Sequence, residues 1–266
     1  MPTYALLGAT GAAGGAVLRY LLEAPPKGLK VSILVRSKSR LLSTFPKLEE
    51  TPAFEVRILE GTPTDSRALQ ECLNGADVII NCVGSNESRP DKSISYDAAA
   101  AIIDGLKELK QRGRDEFRMP TVLQLRAAPV NPIFAAQAPK LVQAVLWFVF
   151  RWAYLDNLRA SKLYADAAKE TPGLLGYIFL DPGALHDSEG TQRTGYALVV
   201  EEKLEPNVSY ADLGAGICEI ALRREEFKSK GVGIGATGKY KATWGRNMVF
   251  MMSGVKNRML HFVGML

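Results

Sequence analysis

A chain of 266 residues that is 47% hydrophobic and 23% charged carries enough apolar mass for a sizeable core and has an ordinary soluble composition. Its net charge of +5 and pI near 9.0 are mild, with bases set among acids as in Arg223-Arg224-Glu225-Glu226, so no nucleic-acid footprint is expected. Cys72, Cys82 and Cys218 lie far apart, with no C-x-x-C pair and no histidine nearby, which excludes a metal site and points to a reducing, cytoplasmic compartment.

Tyr4 to Leu7 is an apolar run too brief for a helix and right for a buried parallel strand. It breaks into Gly8-Ala9-Thr10-Gly11-Ala12-Ala13-Gly14, and Ala16 to Leu22 follows with apolar residues at helical spacing. The glycines therefore lie at a strand-to-helix turn. There Gly8 permits the tight turn, Gly11 lets the backbone approach a pyrophosphate, and Gly14 lets helix and strand pack closely. The free amides of the helix start, among Ala9, Thr10, Ala12 and Ala13, face the phosphates. A strand starting this early leaves no room for a signal peptide.

Pro25-Pro26-Lys27-Gly28 stops the helix, and Lys30 to Val35 reads as a second strand ending at Arg36-Ser37-Lys38. An acid here would hydrogen-bond the adenosine ribose, whereas arginine accommodates a 2′-phosphate, so the expected cofactor is NADP(H). The alternative for the basic run is a solvated loop. Phe54 to Gly61 alternates as a third strand, and Asp65 stands where it would cap a helix over Ser66 to Leu73. A fourth strand covers Ala76 to Gly84, a helix Ile94 to Leu109, and a fifth strand Thr121 to Leu125. Strands alternating with helices imply an α/β, Rossmann-like doubly wound parallel sheet with a small C-terminal substrate-binding portion. We read residues 1–266 as a single NAD(P)-binding domain, with substrate-side elements at about 127–157 and 184–266. Ala127 to Ala138, punctuated by Pro129 and Pro132 and followed by Pro139, reads as a long loop over the C-terminal edge of the sheet. Leu141 to Phe150 is too short to span a bilayer, which needs about 20 residues, and reads as a buried or interfacial helix. No transmembrane segment is expected.

The G-x-x-G-x-x-G spacing of Gly8, Gly11 and Gly14 is the short-chain dehydrogenase variant of the glycine turn. Leu158-Arg159-Ala160-Ser161-Lys162-Leu163-Tyr164-Ala165-Asp166 resembles that family's helix Y-x-x-S-K-x-x-x-E. Gly176 to Leu185 resembles its sixth strand with the R-P-G-x-L element, and Val208-Ser209-Tyr210-Ala211-Asp212-Leu213-Gly214 resembles the V-S-Y-x-D-L-A element of the atypical, NmrA-like branch. The matches occur in the family's order and cover nearly the whole chain. The narrower resemblance is to fungal averufin-oxidase-A-like proteins of aromatic polyketide pathways. The short-chain dehydrogenase resemblance implies that Lys162 binds the nicotinamide ribose and that the backbone of Pro182 and Gly183 receives the carboxamide. It also implies that Val83 and Gly84, closing an N-x-x-G element, pass beside ribose and pyrophosphate, and that Asp65 lies near the adenine.

The departures matter equally. Leu158 stands where the family has its catalytic tyrosine, and a hydrocarbon donates no proton. Arg126-Ala127 stands where the family reads S-S, so the assisting serine is missing too. Three candidates could take over. Tyr154 lies one turn before Leu158 on the same helix face, with packing beside Phe150 and Trp152 as its alternative role. Arg126 could stabilise an oxyanion or grip a phenolate, or else pair with cofactor phosphates or a neighbouring acid. His186 could act as acid or base, or be a solvated loop histidine. Lys162 has its own alternative, an exposed ion pair with Asp166 one turn on.

The tail from Met248 is rich in methionine and apolar residues. Three roles are open to it beyond packing on the body, which is the expectation: covering the pocket, joining a homo-oligomer, or touching a membrane surface. With Val145 to Phe148 it suggests an apolar, partly aromatic small-molecule substrate. The resulting reading is an NADPH-dependent oxidoreductase acting on an apolar, aromatic or polyketide-like ketone or quinone. The lost tyrosine and serine keep two others open: an NmrA-like redox sensor, and a non-redox isomerase or dehydratase on the same fold.

Overall fold

Strand β1 (Thr3–Leu7) is central because its neighbours cover it on both sides: β2 (Lys30–Val35) pairs parallel on one edge and β4 (Val78–Asn81) on the other. In the computed structural model, which describes residues 1–50, 54–85, 87–113, 116–187, 189–239 and 244–265, the sheet order is β3-β2-β1-β4-β5-β6-β10-β8. Here β3 is Glu55–Glu60, β5 Thr121–Leu125, β6 Gly176–Pro182, β8 Tyr196–Val199 and β10 Gly231–Ala236. All pairs are parallel except the edge pair of β10 with β8. The order runs one way from β1 to β3 and the other from β4 to β6, so the strand order reverses between β1 and β4. That reversal leaves a crevice at the carboxyl ends of these two strands.

Alternation along each strand sends side chains to two faces. Leu6, Ile80, Leu123, Ile178 and Leu180 meet Val17, Leu21, Leu213 and Ile217 on one side, from helices α1 (Ala12–Glu23) and α9 (Tyr210–Leu222). Leu7, Ile79, Val122 and Phe179 meet Leu69, Ile102 and Tyr164 on the other, from α4 (Ser66–Leu73), α5 (Ile94–Gly113) and α8 (Arg151–Glu170). Each fully buried leucine or isoleucine contributes about 1.5–3 kcal/mol, which makes this three-layer sandwich the core. Helices α1 and α9 approach so closely that a Cβ on Gly214 would overlap the Ala16 carbonyl. The V-S-Y-x-D-L stretch supplies this contact and its own anchor. Ser209 caps α9, and the buried Asp212 carboxylate accepts hydrogen bonds from Thr194 N–H and Oγ1, Gly195 N–H and Ser209 Oγ.

Two sequence expectations change. The segment 127–138 is not an extended loop but a 3₁₀ turn (Ala128–Val130) and a short helix α6 (Pro132–Ala135), because Asn131 caps the latter and Pro132 occupies its first turn, where a missing N–H costs nothing. The sixth strand stops at Pro182. Ala184–His186 leaves the sheet as β7 and pairs parallel with β9 (Asn207–Ser209), since Gly183 sits against the Pro206 backbone, where a Cβ would be 2.6 Å from its carbonyl carbon. The Leu141–Phe150 stretch forms α7 (Lys140–Val149), of which Val149 is the buried residue, and the tail forms α10 (Trp244–Phe262), packed on α7.

Candidate cofactor site

At the end of β1, Gly8 turns the chain in the left-handed region at φ +85, and a Cβ there would lie 2.9 Å from the carbonyl of Cys82 at the end of β4. The two strand ends therefore meet without a side chain between them. Gly14, one turn into α1, would drive a Cβ into the Gly8 carbonyl, which fixes how closely the helix rests on the turn. Gly11 is exposed, donates its N–H to Gly8 O at 2.9 Å, and would meet only that carbonyl, at 3.2 Å, with an added Cβ. As N-cap of α1 it provides no side-chain acceptor, so the first-turn amides have no capping oxygen of their own. Ala9 and Ala13 are buried beneath the turn, and Thr10 and Ala12 are half-buried at its surface. This turn, packed too closely on neighbouring backbone to admit a side chain at Gly8 or Gly14, fits a pyrophosphate on a helix N-terminus.

Arg36 follows the last residue of β2 and is exposed, as is Lys38. Ser37 caps α2 (Lys38–Thr44) by accepting from Arg40 N–H at 3.2 Å, and Lys38 N–H donates to Glu60 Oε1 at 2.8 Å. These bonds use backbone groups and one hydroxyl, leaving the Arg36 guanidinium at the edge beside the glycine turn. Asp65 caps α4, accepting from Ala68 N–H at 3.1 Å, which is the local reading the sequence permitted for it.

Beside the turn, β4 and β5 end in a buried polar network that the sequence did not disclose beyond Asn81 itself. The Asn81 amide donates to Gln124 Oε1 at 2.7 Å and to the Tyr164 hydroxyl at 3.4 Å. Its carbonyl oxygen accepts from Val83 N–H at 3.1 Å. All three side chains are fully buried. Asn81 thus shapes the Val83-Gly84 bend, and Gly84 is exposed. Burial pushes the Cys82 thiol up to about 12, so it is neutral and no nucleophile.

The predicted catalytic groups are dispersed. Lys162 is exposed, and its Nζ lies 2.5 Å from Asp166 Oδ2, which holds the ammonium protonated above its ordinary range. The bond draws Lys162 toward the far end of α8. Tyr154 is buried, its ring 5.3 Å from Trp147 and 5.7 Å from Phe150. Desolvation raises its pKa, opposite to the shift that would make it a proton donor near neutrality. His186 is not a solvated loop residue: it is buried on β7, with Nε2 2.7 Å from Asn207 Oδ1. Arg126 is not available to grip an oxyanion. Its Nε and Nη2 donate to the two oxygens of Asp181 at 2.7 and 2.6 Å, Asn131 donates to Oδ2 at 2.8 Å, and the guanidinium lies 4.3 Å from the Phe179 ring centre. Burial raises the Asp181 pKa while the guanidinium opposes that shift. Pro182 and Gly183 follow directly, at the end of β6.

Residues 8–223 match a family model described as NAD(P)H-binding. The chain is 45% identical over 263 residues to averufin oxidase A of Dothistroma septosporum, covering 97% of this chain and 92% of that protein. It is 43% identical to averufin oxidase A of Aspergillus flavus, covering 97% and 91%. Among solved structures it shares its fold, with a TM-score of 0.62 and 18% identity over 90% of this chain and 97% of the other, with a short-chain dehydrogenase/reductase of Veillonella parvula in complex with NADP. A glycine cradle at the sheet's reversal point and a family match that begins at Gly8 agree: this chain belongs to the NAD(P)H-binding family of Rossmann-fold oxidoreductases.

Proposed function

We propose that the protein is an NADPH-dependent oxidoreductase that reduces an apolar, aromatic or polyketide-like ketone or quinone. The observation that carries this reading is the side-chain-free cradle of Gly8, Gly11 and Gly14 with the exposed Arg36 at its rim. The names of the averufin oxidase relatives support the substrate class. When bound, the cofactor supplies a hydride to the substrate carbonyl carbon. The turn amides hold its pyrophosphate, Arg36 and Lys38 its 2′-phosphate, and the Val83-Gly84 bend and the Pro182-Gly183 backbone flank its ribose and nicotinamide. Lys162, exchanging Asp166 for the ribose hydroxyls, fixes the nicotinamide end. The substrate oxygen takes its proton from water, because Tyr154 is desolvated and His186 is buried against Asn207. The test is NADPH consumption by the purified protein against a panel of apolar ketones and quinones; absence of turnover across the panel refutes the reading.

A second reading rests on Leu158, an exposed hydrocarbon in place of an acid, and on Arg126 being held by Asp181. In it the protein is an NADP(H)-responsive sensor of the NmrA type. A partner retained differently with NADPH and NADP, with no substrate consumed, would establish it.

A further inference from the structure

Helix α10 is amphipathic in the sense opposite to that of a surface helix. Its inner face carries small and polar groups: Gly254, where a Cβ would be 2.5 Å from the Val149 carbonyl oxygen, and Asn257, whose amide donates to Ser88 O at 3.0 Å. Its outer face carries Val249, Met252, Met259 and Phe262, with Met252 and Phe262 each 68% exposed. The adjoining face of α7 shows Leu141, Val145 and Phe148, with Leu141 77% exposed. Arg258 ties the helices together, its guanidinium 5.3 Å from the Phe148 ring, 5.0 Å from Trp152 and 4.8 Å from Phe262. A contiguous apolar face of this kind on a folded chain is a docking surface.

Charge selects the occupant. Residues 127–155 and 236–266 hold seven lysines and arginines and none of the chain's 28 acids, so the rest of the protein is slightly acidic and these two segments carry the whole basic excess. The evenly mixed charge of the chain as a whole conceals this. Lys140, Arg151, Lys239 and Lys256 are exposed. All three tryptophans, Trp147, Trp152 and Trp244, fall in the same segments. A second copy would bring α7 and α10, neither of which contains an acid, against their own cations with no carboxylate on either helix to pair, a like-charge contact that costs affinity. A layer of anionic headgroups over acyl chains satisfies both the cations and the apolar stripe. Among the described residues no helix is long and apolar enough to cross a membrane.

We propose that the packed pair of helices α7 and α10 docks the protein on the surface of an anionic lipid bilayer. The full-length protein is sedimented with vesicles of phosphatidylcholine containing about 30% phosphatidylserine and with vesicles of phosphatidylcholine alone. Partition onto the anionic vesicles is expected to be at least about tenfold stronger, and to weaken as salt is raised. Val249→Asp with Met252→Asp abolishes it. Lys140→Glu with Lys256→Glu, at exposed positions that leave the core untouched, lowers it at least about tenfold with an unchanged melting curve. Failure of the wild-type protein to bind anionic vesicles overturns the proposal. So does equal binding to both vesicle types, or a wild-type dimer in light scattering that the Val249/Met252 variant turns into a monomer, which would assign the face to a second copy.

Discussion

Arg126 and Asp181 form a bidentate ion pair across the ends of β5 and β6, with both carboxylate oxygens of Asp181 accepting from the one guanidinium. Both side chains are buried, so a charge at the end of one strand is matched on the next. Breaking such a pair strands a charge in the core and costs about 3–5 kcal/mol, whereas replacing both partners with apolar residues of similar volume is far less harmful. Arg126→Ala should therefore lower unfolding free energy by about that much in denaturant melts. Arg126→Met with Asp181→Leu should recover most of it, and a double variant as unstable as the single one would contradict the pairing.

Gly231 on β10 closes over this pair: a Cβ there would lie 2.5 Å from both Asn131 Nδ2 and Asp181 Oδ2 and 2.9 Å from an Arg126 nitrogen. Gly231→Ala is expected to destabilise by about 1–3 kcal/mol through overpacking. In the Arg126→Met/Asp181→Leu background the cost should differ, since the two sites share a cavity, and strict additivity would show that they do not couple.

At the glycine turn, Gly14→Ala and Gly11→Ala should separate. The first pushes a methyl into the Gly8 carbonyl and displaces α1 from the turn, so both thermal stability and NADPH affinity fall, the affinity by at least about tenfold. The second meets only a carbonyl at 3.2 Å, keeps the melting temperature and weakens NADPH binding alone. Fluorescence titration beside a thermal melt distinguishes the two. Arg36→Ala should weaken NADPH about tenfold or more while leaving NADH unchanged; equal losses for both would remove Arg36 from the 2′-phosphate.

The thiols set a pH dependence. Burial raises Cys72 and Cys82 from about 9 to about 12. Because the folded values lie above the unfolded ones, the stabilisation is complete below about 9 and is lost as pH rises toward about 12, where the unfolded chain releases protons the native chain retains. Denaturant midpoints should fall across that alkaline window and be flatter there in Cys72→Ala. At neutral pH an alkylating reagent should label these cysteines only once the protein unfolds.

The sequence carried the fold because burial on both faces leaves continuous apolar strands, and β2, α4 and β5 were legible to the residue. The glycine turn was legible because its backbone demands are written in the absence of side chains. The Asn81-Gln124-Tyr164 network was not, since residues 43 and 83 positions from Asn81 join it only through the sheet and α8. Arg126 stayed undecided between an oxyanion and a neighbouring acid for the same reason: its partner lies 55 residues on. The segment 127–138 looked like a loop because its prolines are both breakers and helix starters, and only the Asn131 cap decides between them.

The contact of Gly214 with Ala16 has a bearing on how the molecule comes into being. The glycine turn is made before α9, whose last residue is Leu222, yet the helix that follows the turn rests on α9. A growing chain holds the turn without that support until α9 has been made, so the turn is secured well after its own residues are in place.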